Sequence, residues 1–212
     1  MSNKILLLIL SLLAVTTLAI FLIVVIPEKV IQKQEIEAVP TKLESPPISF
    51  IDPIRGNPNA NITIIEYGDF DCPLCKTVES ELQAVIAESP NKRRLIWKDA
   101  PNVGAHPNSF VAAMAARCAQ DQGYFWDMHD KMLELGSSLT ADGIKNTAKQ
   151  IGLDVGIFDN CMSSEVTRPV VQHTLDEAIA LDLTGTPTIF INGNLYSGAL
   201  TREAITFVID AL

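Results

Sequence analysis

The sequence predicts an α/β domain ordered β-α-β, helical block, β-β-α, preceded by one transmembrane helix. Three observations carry this expectation. An uncharged apolar run fills residues 5–26; β-branched runs recur at both ends of the remaining chain; and apolar residues at helical spacing fill the stretch between them. The 212 residues, 48% apolar and 19% charged, suit one domain with an appendage rather than a disordered or collagen-like polymer. A net charge of −9 argues against a protein that wraps nucleic acid, which needs a basic face. Lys4 is the only charged side chain before residue 27, so the acidic excess belongs to the globular part.

Within residues 5–26 only Ser11, Thr16 and Thr17 are polar. At 1.5 Å rise per residue such a helix is roughly 33 Å long, against a hydrocarbon core of about 30 Å. A cleaved signal peptide is the rival reading, but seven apolar residues follow the small-residue site Thr17-Leu18-Ala19. Lys4 before the span and Lys29 and Lys33 after it leave the positive-inside count undecided. The cysteine chemistry favours the bulk of the chain outside the cytoplasm, with the N-terminus cytoplasmic. Residues 1–4 are then a short flank, 5–26 the anchor and 27–50 a Glu-, Lys-, Gln- and Pro-rich spacer.

The run at 61–67, NITIIEY, reads as a buried strand after the turn formers Pro53, Gly56, Asn57 and Pro58. Leu74, Val78, Leu82, Val85 and Ile86 then recur at helical spacing until Ser89-Pro90. Residues 94–98 form a second strand, completing a βαβ unit with parallel pairing and a right-handed crossover. Pro107 suits a first helical position for an Ala-rich helix over 110–119. Further helices are expected over 124–135, over 140–152, and over about 164–183 with Pro169 near its start. Residues 188–191, the turn pair Asn192-Gly193, and Leu195-Tyr196 read as a hairpin. A last helix from Thr201 turns Ala204, Ile205, Val208, Ile209 and Leu212 inward.

Cys72-Pro73-Leu74-Cys75 falls where the first strand meets the first helix. A thiol there faces unpaired N–H groups and the positive end of the helix dipole, which favour thiolate over thiol. Cys75, one turn further in, is more shielded. Pro73 fits the first helical position because it has no N–H to leave unpaired. A zinc site is disfavoured, since Cys118, Cys161, His106, His129 and His173 are scattered and offer no second close pair. An inert Cys72–Cys75 bridge would close too small a loop to stabilise much. At 185–188, GTPT, a proline opens the hairpin, where it marks a strand start or a special turn. Taken with the CxxC and the β-β-α ending, the Thr186–Pro187 bond is expected to be cis, leaving the Thr186 backbone free to pair with an extended substrate. Asp69 and Asp71 read as solvated loop charges, and only His106 among the histidines has a claim to line the same groove.

These strings together, DFDCPLCK at 69–76, AAMAARC at 112–118, FWDMHD at 125–130 and GTPTIFING at 185–193, resemble the thioredoxin superfamily. Within it the chain is similar to the DsbA-like, thioredoxin-4 type of thiol-disulfide oxidoreductase, with a helical domain inserted in the thioredoxin fold. The resemblance divides the chain into a leading thioredoxin-core segment at 51–105, the helical insertion at 106–183 and a closing core segment at 184–212. It implies that Cys72 is the nucleophilic thiol and Cys75 the resolving one, with Pro73 and Leu74 as the active-site dipeptide. Thr186 and cis-Pro187 would hold substrate, and Glu66 would be the buried acid beneath Cys75. Lys98 on the neighbouring strand is a plausible partner for Glu66. Cys118 and Cys161 would form a structural disulfide, with two buried free thiols or a second redox pair as alternatives.

The activity so implied is oxidation of thiols to disulfides in unfolded or reduced envelope or secreted proteins. The catalytic domain would sit on the periplasmic or extracellular side of a single-pass membrane anchor. A quinone-linked membrane reoxidase of the DsbB or VKOR type would restore the disulfide, with no cofactor, resident metal or nucleic acid involved. Disulfide reduction or isomerisation on the same fold, and tethered binding of a soft ion such as Cu(I), are the alternatives.

Overall fold

The structure, a computed structural model, describes residues 13, 15–16, 38–136 and 139–212. The chain divides into two units, Met1–Glu37 and Ala38–Leu212. The anchor expected at residues 5–26 lies almost wholly outside the described residues, as does the beginning of the spacer. Among the described residues, no helix is long and apolar enough to cross a membrane. Residues 38–50 form no helix or strand, yet Pro46 is buried and the Leu43 N–H donates to the Ala180 carbonyl at 2.8 Å.

Among the described residues, the second unit holds twelve elements: β1 (Ile54–Gly56), β2 (Ile62–Gly68), α1 (Pro73–Glu88), β3 (Arg93–Asp99), α2 (Ser109–Gln120), α3 (Phe125–Leu135), α4 (Ala141–Gln150), α5 (Val155–Ser164), α6 (Arg168–Ala180), β4 (Thr188–Ile191), β5 (Asn194–Leu195) and α7 (Arg202–Ile209). The sheet order is β1-β3-β2-β4-β5. Of these strands only β2 and β3 pair in parallel, as the crossover through α1 requires. The β4–β5 hairpin turns at Asn192 and Gly193, with φ of 47° and 81°, a left-handed pair that Asn and Gly adopt with little cost.

Alternation along β2 and β3 divides the core. Ile64 and Leu95 pack with α1 and α7 through Val78, Leu82, Val85, Ile205 and Ile209. Ile65, Tyr67 and Ile96 face the other way, toward Ala178 of α6. Helices α2 to α5 build a separate core that includes Phe70, Trp97, Cys72 and Cys75.

Several elements differ from the sequence reading. Residues 54–56, read as part of a turn region, form an edge strand antiparallel to β3; a three-residue strand ending at Gly56 leaves too short a pattern to detect. Helix α5 was not anticipated, although Asp154 caps it by accepting from the Ile157 N–H at 3.0 Å. It separates from α6 at Glu165, which is left-handed with φ of 53°, and Pro169 then falls in the first turn of α6. Pro107 lies in the turn before α2 rather than inside the helix. In α7 Ile205 and Ile209 are buried, whereas Val208 is exposed because the helix lays a narrower face on the sheet than its apolar content suggests, and Leu212, expected inward, is exposed beyond the end of the helix.

Candidate active site

Strand β2 ends at Gly68, and a four-residue link leads into α1. The close approach is specific to glycine: a Cβ at Gly68 would fall 2.2 Å from the Trp97 ring. Cys72 is the N-cap of α1 and Pro73 its first residue, so the Cys72 sulfur sits at the electropositive end of the helix. Cys72 is 8% exposed and Cys75 fully buried, and both are free thiols. The Thr186–Pro187 bond is cis. The Thr186 carbonyl lies 3.4 Å from Cys72 Sγ, across 114 residues of sequence. Leu74 is half exposed beside the pair.

The two sulfurs are electrostatically unlike. Cys72 is lowered to about 5, chiefly because the Cys75 thiol donates a hydrogen bond to its sulfur. Burial opposes this, and the Cys75 backbone, the Thr186 side chain and the Leu74 backbone add to it. Cys75 is pushed far up by the same hydrogen bond, by burial and by the charge of Glu66. One proton is thus shared unequally, held on the inner sulfur while the outer carries the charge.

Glu66 is fully buried, and among the described residues neither carboxyl oxygen has a hydrogen-bond partner. Its pKa is raised well above the ordinary carboxylate range, first by burial and then by the charges of Glu79 and Cys72, with Arg55 opposing. Lys98 is not its partner. The parallel register sets Glu66 beside Trp97 and Lys98 beside Tyr67, so Lys98 projects from the opposite face of the sheet. There its Nζ lies 2.9 Å from both Asp52 Oδ2 and Glu177 Oε2, in a fully buried ion cluster.

The cation near Glu66 is Arg55, on the strand that was not foreseen. Its guanidinium reaches Glu79 Oε1 at 2.8 Å and Asp130 Oδ1 at 2.6 Å, and stacks over Trp126. His129 Nδ1 lies 2.9 Å from Asp130 Oδ1. Glu79, His129 and Asp130 bring ligand atoms within 4.8 Å of one another, and Arg55 supplies the positive charge that faces them. The string FWDMHD carried a signal for His129 and Asp130; Glu79, one turn after Cys75, was legible only as a charge among the apolar residues of α1.

Asp69 is likewise not a solvated loop charge, being 1% exposed. Its N–H lies 3.5 Å from Cys75 Sγ and its carbonyl accepts from the Cys72 N–H at 3.1 Å. Its carboxylate accepts from the Asp71 N–H (2.9 Å), the Asn102 N–H (2.9 Å) and the His106 ring (2.8 Å). In the same helical core as the pair, Cys118 of α2 and Cys161 of α5 are joined, with Cα atoms 5.8 Å apart.

A CxxC at a helix N-terminus opposite a cis-proline, on a sheet of this order, defines the thioredoxin class of fold. A family model described as thioredoxin, of the thioredoxin-4 type, matches residues 51–211, and the chain belongs to this family. Solved structures agree in fold. A thioredoxin-like oxidoreductase from Silicibacter pomeroyi superposes with a TM-score of 0.70 at 24% identity, covering 77% of this chain and 92% of that one. BdbD from Bacillus subtilis gives 0.69 at 22%, covering 76% and 92%. The thiol-disulfide exchange protein alpha-DsbA2 from Wolbachia pipientis gives 0.69 at 23%, covering 77% and 88%. Among curated relatives, the Na(+)/H(+) antiporter NhaA 1 of Salinispora arenicola is 33% identical over 160 residues, 76% of this chain but 24% of the relative. NhaA 1 of Mycolicibacterium gilvum is 33% identical over 178 residues, 82% of this chain and 29% of the relative. The chain spans about a quarter of the length of these curated relatives.

Proposed function

We propose that this protein is a membrane-tethered thiol-disulfide oxidoreductase that oxidises substrate thiols in the cell envelope through Cys72 and Cys75. The observation that carries the reading is the asymmetry of the pair: an outer sulfur lowered to about 5 beside a carbonyl on a cis peptide, and an inner sulfur held protonated above a buried acid. In the oxidised pair a substrate thiolate attacks Cys72 Sγ, the Cys72–Cys75 bond breaks, and Cys75 leaves. The neutral Glu66 carboxyl is suited to give Cys75 a proton as it departs. A second substrate thiolate then attacks the substrate sulfur of the mixed disulfide, forming the substrate disulfide and releasing Cys72 as a stable thiolate. Thr186 and Pro187 hold the substrate strand beside Cys72.

Stabilising the thiolate stabilises the reduced pair, and a stable reduced form makes the protein an oxidant. That favours oxidation over reduction or isomerisation. A quinone-linked membrane reoxidase would take the two electrons back from Cys72 and Cys75. The apolar run at 5–26 supports the tether and the envelope location. The bridge between Cys118 and Cys161, which ties α2 to α5 while Cys72 and Cys75 remain free thiols, fits a structural role. Cys72→Ser is expected to abolish oxidation of a reduced dithiol peptide, and Cys75→Ser to accumulate covalent adducts through Cys72 on a non-reducing gel. Undiminished oxidation by the Cys72 variant would refute the assignment.

A further inference from the structure

The active-site dipeptide, Pro73-Leu74, offers Cys72 no charge, and the buried acid whose backbone meets the pair, Asp69, is of the wrong sign to support a thiolate. His106 corrects this. It comes from the loop after β3, and its Nδ1 meets Asp69 Oδ2 at 2.8 Å, on the residue whose backbone touches both cysteines. We propose that His106 is a positioning residue whose imidazolium neutralises Asp69 and supports the Cys72 thiolate, so that the redox state of the pair is coupled to a proton on this ring. The inference rests on the oxidoreductase reading above and adds to it a pH-sensing component outside the CxxC.

The charged groups facing the ring are Asp69, Asp71 and Cys72, and all three favour its protonated form. The hydrogen bond to Asp69 is the largest influence, and partial burial opposes it. When the pair is reduced, Cys72 carries a negative charge and holds the His106 proton more tightly. Oxidation to the disulfide removes that charge and loosens the proton. By reciprocity a protonated His106 stabilises the reduced pair by the same factor. As pH rises and His106 becomes neutral, the buried Asp69 charge is left uncompensated beside Cys72. The protein then becomes a weaker oxidant than its cysteines alone would dictate.

The test is an NMR titration of the three histidine rings in the purified full-length chain, carried out in the reduced and oxidised states, with His106→Gln used for assignment. The expected result is a His106 pKa higher in the reduced state by about one unit, a tenfold change in proton affinity. In parallel, His106→Gln should lower the equilibrium constant for reduction by glutathione about tenfold at about pH 6, an effect that fades at about pH 9. A His106 pKa identical in both states would overturn the coupling. An unaltered glutathione equilibrium in the variant would overturn the support given to the thiolate. Either result in a chain that still oxidises dithiols through Cys72 leaves the oxidoreductase reading standing.

Discussion

A carboxylic acid with no exposure and, among the described residues, no hydrogen-bond partner, such as Glu66, stays neutral until a strong reason to ionise arrives. In the proposed reaction Cys75 would provide that reason, since its departing thiolate is a better proton acceptor than water can be in so dry a place. Glu66→Gln keeps the shape and removes the proton. The expected outcome is a loss of at least about tenfold in the rate of mixed-disulfide formation by the oxidised pair, read by stopped-flow fluorescence, with Cys72 alkylation little affected. A rate within twofold of the parent would assign Glu66 a packing role only. At this scale the chain was partly legible. Cys72, Cys75 and Pro187 are named by short strings whose residue types have few other uses. The error at Lys98 arose because a strand sequence states its alternation but not its register with a neighbour. Asp69 was misread because a charge in a loop looks solvated until the residues that hydrogen-bond it are known.

The elements convert these residues into a site. Helix α1 fixes Cys72 at its mouth, the β4–β5 hairpin carries the cis-proline to it, and β1 delivers Arg55 to Glu79. The βαβ unit and the hairpin were legible because each has a period and a turn signal. Helix α5 was not, since ten residues of mixed character with a single cap give little to count. The bridge from Cys118 to Cys161 ties α2 to α5 and closes a 43-residue separation. In the chain-entropy account, Cys118→Ala with Cys161→Ala should lose about 2–4 kcal/mol of stability. Urea unfolding of the oxidised protein would measure it, with the rate of dithiol oxidation unchanged. A loss below about 1 kcal/mol would mean that packing of α2 on α5 already restrains the chain.

Across the whole molecule, two halves of one sheet are separated in sequence by the helical block, and the site exists only where they meet. The folded protein holds Cys72 below its unfolded value of about 8.5. The stability this contributes to the reduced form is fully present above that value and is lost as pH falls through about 5. The stability difference between reduced and oxidised protein should therefore narrow on acidification across this window, as unfolding of each form would reveal. The most direct measurement is the pH dependence of ultraviolet thiolate absorbance in the reduced full-length chain, with Cys72→Ser as the blank. A single outer thiolate appearing with a midpoint of about 5 is the predicted result. A midpoint near about 8.5, the value of an unassisted thiol, would contradict the account.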